Sequence, residues 1–155
     1  MTPPSSQEVA VLIPLVLSLL TALVTIGIHA VALGATVRFI RDEYHLGRAG
    51  VRFWTDVAIV AGVIMLALVA HLVAIAIWAV LYIACGEFTQ LAAAFYHSAT
   101  NYTSLGYGDL IMTPSWRLLG PLETANGMLM FGVSTAMIFA LIQRLVETRF
   151  VDLKH

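Results

Sequence analysis

Three long apolar runs set the terms on which this chain can fold. They extend from Val9 to Val37, from Val57 to Ala84 and from Leu118 to Ile142, and among them only Glu123 carries a formal charge. At about 1.5 Å per residue, each is long enough as a helix to cross a hydrocarbon layer of about 30 Å. A 155-residue globule has no core that could bury so much contiguous apolar surface. Composition agrees, with 60% hydrophobic and 11% charged residues, where soluble domains carry about 25% charged. The expected fold class is an all-α membrane protein with three transmembrane helices.

The N-terminus, residues 1–8, holds no basic residue, and the adjoining run is too long for a cleavable leader, so 9–37 reads as a retained span. Residues 38–56 form a polar linker with Arg38, Arg41, Arg48 and Arg52, in which Gly47 and Gly50 argue against one continuous helix. Seven of the eight basic residues lie in this linker or in the 143–155 tail, the exception being Arg117. The positive-inside rule then places the N-terminus outside and the linker and C-terminal tail in the cytosol. Trp54 and Trp116 fall at the expected membrane boundaries, where an indole keeps its ring in the interface.

A net charge of -1 argues against a nucleic-acid partner. The single cysteine, Cys85, forms no internal disulfide and is too little for a cysteine-based metal site. Paired carboxylates, a nucleophile with its base and a phosphate-binding glycine turn are all missing from suitable contexts, so the chain is not expected to be an enzyme. No cofactor is expected.

Between the second and third runs the texture changes. Residues 88–102 are rich in alanine and aromatic residues and suit a short helix, and Thr103-Ser104-Leu105-Gly106-Tyr107-Gly108-Asp109 comes directly after it. The alternating glycines accept positive φ, so successive carbonyls can turn to one side. A segment that begins and ends on one membrane face either lies on the surface or re-enters the bilayer, and re-entrant backbone is tolerated only where protein or water satisfies it.

At these residues the sequence resembles the pore-loop superfamily of potassium channels, whose filter reads T-V-G-Y-G-D or close variants; here it is Ser104-Leu105-Gly106-Tyr107-Gly108-Asp109. The resemblance covers 57–142, with an outer helix at 57–84, a pore helix at 88–102, a filter at 103–109 and an inner helix at 118–142. It implies passive conduction of K+, the permeant ligand, held by Ser104, Leu105, Gly106 and Tyr107, with Thr103, Gly108 and Asp109 flanking the filter and shaping the outer mouth. A single filter segment without an internal repeat implies a homotetramer in the lipid bilayer.

Serine at 104, where the family usually has threonine, keeps the hydroxyl and loses the β-methyl that stiffens χ1. Counting back from the filter puts His97 where relatives carry the aromatic donor to the filter tyrosine, so His97 is expected either to support Tyr107 or to be a buried histidine satisfied elsewhere. Thr100 falls where some relatives have a pore-helix carboxylate. Gly127 and Gly132 are candidate gate hinges, and close helix packing explains them equally well. Asn126 is expected to hydrogen-bond between helices, and Glu87 and Glu123 to be solvated carboxylates near the outer face.

The resemblance does not account for the 9–37 helix. Only Arg38 and Arg41 show gating-charge spacing, at the cytosolic edge, so it is not a voltage sensor. With so short a tail, ligand gating would come from a regulatory partner. His29 and His71 lie in different spans, at depths read as too far apart for a shared metal, each expected to bond a neighbour such as Ser18, Thr21 or Thr25, with pH sensing as the alternative. The compact design suggests a bacterial inner membrane. Two rival readings stand beside the potassium channel: a poorly selective cation channel, motivated by Ser104, and a non-conducting regulatory subunit, motivated by the extra helix.

Overall fold

A computed structural model describes residues 11–47 and 52–152, together with the side chains of all these residues except Tyr44 and 149–152. Residues 1–8, Arg48, Gly50 and Lys154, like the side chain of Arg149, lie outside the described residues. Four helices run in order: α1 (Leu12–His45), α2 (Phe53–Ala84), α3 (Leu91–Tyr102) and α4 (Leu119–Asp152). There is no strand among the described residues. The protein is all-helical, and Leu12–Glu43, Phe53–Ala84 and Leu119–Thr148 are long and apolar enough to cross a membrane.

The long helices overrun their apolar runs. α1 continues past Val37 through Arg38–His45, and α4 continues past Ile142 to Asp152. Arg, Glu, Gln and Leu are good helix formers, so a polar boundary ends the apolar run without ending the helix. The linker is correspondingly shorter than 38–56: its first part belongs to α1, Gly47 turns the chain at φ +63°, and α2 begins at Phe53 with Asp56 in its first turn, where a carboxylate meets the positive end of the helix dipole. Pro14 and Pro121 fall in the first turns of α1 and α4, where a missing N–H costs no helical bond. The pore helix begins three residues later than the alanine pattern predicts, because Gly86 at φ +78° turns the chain out of α2 and Phe88 packs its ring on Tyr82 and His97.

The residues group into two compact units. One comprises Met1–Ile26 and Val73–Leu129, and the other Gly27–Leu72 and Met130–His155. In the first, Trp78, Ala79, Tyr82, Ala94, Tyr102 and Leu119 are fully buried. Asn126 Nδ2 donates to Thr25 Oγ1 at 2.8 Å, and the Thr25 hydroxyl donates in turn to the Ala22 carbonyl. The polar residue of α4 thus bonds between helices, as the sequence suggests.

In the second unit, Ile59 and Val63 of α2 form a cluster with Leu141 and Leu145 of α4, flanked by Ile40 of α1. His29 and His71 correct the sequence reading, for their ring nitrogens Nε2 and Nδ1 lie 3.1 Å apart. The continuation of α1 to His45 moves His29 to the middle of its helix, level with His71 in the middle of α2. The depth argument against a shared site therefore fails, and each ring has the other histidine as a partner. Phe131 stacks on His71 with ring centroids 4.2 Å apart.

Candidate functional site

The residues that the sequence singles out between the last two spans all lie in the first unit. Its 12-residue helix α3 starts after an extended Gln90 and is built on Ala92, Ala93, Ala94 and Ala99, alanine being the best helix former. Its C-terminal carbonyls are not left open. Thr103 N–H donates to Ala99 O, Ser104 N–H to Asn101 O, and the N–H groups of Leu105 and Gly106 both to Thr100 O, at 2.9–3.2 Å. These bonds satisfy the last turn, where helices otherwise leave carbonyls orphaned.

The same bonds orient the backbone beyond the helix. In a trans peptide, N–H and C=O point in opposite directions. With the N–H groups of 104, 105 and 106 folded back on α3, the carbonyls of Thr103, Ser104 and Leu105 face away from it. Backbone φ is positive at every second residue: +59° at Ser104, +51° at Gly106 and +73° at Gly108. This alternation lets consecutive carbonyls share one side. The glycines make it visible in the sequence, but Ser104 does not, since a non-glycine residue in this region costs about 1–2 kcal/mol. Leu105 is 56% and Tyr107 67% exposed within the single chain.

Side-chain bonds within the chain hold the flanks of this segment. Within the chain, His97 does not bond Tyr107. Asn101 Nδ2 donates to His97 Nε2 at 3.0 Å, and the ring packs between Tyr82 and Phe88. Burial holds His97 below the ordinary histidine pKa, consistent with a neutral ring that accepts at Nε2. Thr100 donates to the His97 carbonyl of its own helix. The Tyr96 hydroxyl donates to Asp109 Oδ2 at 2.9 Å, and that bond is the first reason its phenol is pushed above its usual pKa. Tyr96 is the partner of the acidic residue after Gly108, a role that an exposed tyrosine does not advertise.

Both carboxylates expected to be solvated are engaged. Glu87 accepts from the Thr113 N–H at 2.8 Å and from the Thr113 hydroxyl at 2.5 Å, closing the loop after Asp109 onto the end of α2. Glu123 has no exposed surface at all. It accepts a hydrogen bond from the Tyr82 hydroxyl, and its Oε1 lies 2.5 Å from Ser98 Oγ in the middle of α3. Ser98 Oγ lies 2.8 Å from the Ile75 carbonyl of α2. Thr124 Oγ1 donates to the Asn101 carbonyl at 2.8 Å, a second link from α4 to α3.

The space at Gly127 supports the packing reading. A Cβ there would run into the Tyr102 carbonyl oxygen and stand 3.0 Å from its carbon, so this glycine permits α4 to pass close to the end of α3. A Cβ at Gly132 meets nothing within 4 Å.

Two long apolar helices, a short alanine-rich helix between them and a left-turning glycine segment capping that helix define a pore-loop type of integral, multi-pass membrane protein. Residues 70–144 match the family model described as "Ion channel", so the chain carries the two-span ion-channel domain of the potassium-channel superfamily. The match takes in the second half of α2, all of α3 and the 103–109 segment, and α4 as far as Arg144. Such domains typically work as oligomers in the membrane. Neither a curated protein nor a solved structure matches the chain.

Proposed function

We propose that the protein is a potassium-selective channel in which four copies place the 104–107 segment around one axis and conduct K+ passively between rings of backbone carbonyls. A dehydrated cation needs oxygens in place of its water shell, and one chain offers one oxygen per layer, so several chains must surround each site. The carrying observation is the alternation of positive φ at Ser104, Gly106 and Gly108 together with the N–H groups of 104–106 turned back on α3. The carbonyls of Thr103, Ser104 and Leu105 are thereby turned away from the helix, which supports their use as ion ligands. Asp109 would form an acidic ring that concentrates cations at the entrance. The distribution of arginines supports an orientation with this entrance outside and the C-terminal end of α4 in the cytosol.

The test is K+ efflux from liposomes that contain the purified protein, with Gly106→Ala as comparison. At φ +51° a side chain is strained, so the variant should lose flux while keeping its oligomeric state. Absence of flux from the natural sequence, in a verified oligomer, would favour a regulatory subunit.

A further inference from the structure

Glu123, Ser98, Tyr82 and the Ile75 carbonyl pose a problem in counting protons. The Ser98 hydroxyl has one hydrogen and approaches two oxygens, Ile75 O at 2.8 Å and Glu123 Oε1 at 2.5 Å. A carbonyl oxygen only accepts, and an ionised carboxylate only accepts. With Glu123 ionised, the single Ser98 hydrogen is either shared between the two acceptors or leaves one contact without a proton. The Tyr82 hydrogen cannot serve, because it goes to the other carboxyl oxygen, Oε2. One hydrogen shared between both acceptors would serve each poorly, whereas a protonated Glu123 brings a second hydrogen and satisfies both contacts.

The surroundings agree. Glu123 is fully buried in a membrane-spanning helix, and both hydrogen-bond partners are neutral hydroxyls. The titratable groups facing it are the phenols of Tyr82 from α2 and Tyr102 from α3. A carboxylate without a cation in such a place is costly, whereas a neutral acid with both oxygens bonded is not. Asp109 is not its counterpart, being held by Tyr96.

We infer that Glu123 is a neutral carboxylic acid that donates to Ser98, so that one directed chain, Tyr82 to Glu123 to Ser98 to the Ile75 carbonyl, fastens α3 to α2 and α4. Glu123 is thereby a positioning residue for the segment that α3 supports, a consequence that rests on the proposed conduction through 104–107. The protonation itself does not depend on that function.

Glutamine separates this account from a role for charge. Its amide donates with nitrogen and accepts with oxygen, reproducing the neutral acid, whereas aspartate keeps the acid and shortens the reach. The experiment pairs infrared spectroscopy of the full chain in liposomes with its K+ to Na+ permeability ratio. At neutral pH the natural sequence should show the carbonyl stretch of a protonated, buried carboxyl, and Glu123→Gln should lose that band. Glu123→Gln should keep the permeability ratio within about twofold, while Ser98→Ala and Glu123→Asp lower it about tenfold, as expected when a buried polar network is broken. Absence of the band in the natural sequence overturns the protonation. A ratio in Glu123→Gln as low as in Glu123→Asp overturns the positioning role. If the natural sequence conducts no ions, the functional reading and the positioning role fall, and the band alone still decides the protonation.

Discussion

Asn126 Nδ2 donates to Thr25 Oγ1 at 2.8 Å with both residues buried, which ties the helix that the two-span family pattern does not include to the helix that closes the ion-channel domain. Thr25 gives its own proton to Ala22 and its oxygen accepts from Asn126, so the pair is a matched donor and acceptor. A double-mutant cycle on Asn126→Ala and Thr25→Val, read from thermal unfolding in detergent, should give a coupling of about 0.6–1.7 kcal/mol, the range for interhelical hydrogen bonds in membranes. Additive single effects would contradict the bond.

The two glycines of α4 should respond in opposite ways. Gly127→Ala pushes a methyl group into the Tyr102 backbone and should destabilise by about 1–3 kcal/mol, as overpacking does. Gly132→Ala enters open space and should be neutral or stabilising by up to about 1 kcal/mol, because alanine is the better helix residue. Melting temperatures of the two variants check this directly, and equal losses would contradict it.

His29 and His71 share a hydrogen bond, so one ring donates an N–H and the other offers a lone pair. Nitrogen-labelled magnetic resonance should therefore show one protonated and one bare nitrogen at this contact, coupled through the bond. Two protonated nitrogens there, or the absence of coupling in a well-ordered sample, would contradict the pairing.

His97 sets an acid limit on stability. Its ring is held neutral by burial, with a folded pKa below the ordinary 6.5. The unfolded chain then binds the proton more readily, so stability is full above about 6.5 and declines as pH falls from there toward the lower folded value. His97→Gln, which keeps a polar group at that place, should lose less stability than the natural sequence over this window. Identical pH profiles would remove His97 from the account.

The spans and the glycine segment are legible in the sequence because their signals are local: apolar runs long enough to cross a membrane, and glycines at alternate positions. The helix ends are not, since Arg38–His45 and Gln143–Asp152 continue a helix that hydropathy alone would stop. Glu123 reads as a solvated carboxylate because its partners are 41 and 25 residues away at Tyr82 and Ser98. The histidine pair is hidden for the same reason, 42 residues apart, and a misplaced end of α1 is enough to put the two rings at different depths. Ser104 illustrates a third kind of silence, a positive φ carried by a residue type that gives no sign of it.

The central claim is that ions pass between the carbonyls of 104–107 and that this path prefers K+. The most direct measurement is the reversal potential of the purified protein in planar bilayers with K+ on one side and Na+ on the other. The account predicts a potential close to that of a K+ electrode, with current lost in Gly106→Ala. A reversal potential near zero would contradict selectivity and point to a general cation pore, with the serine at position 104 as the first residue to restore to threonine.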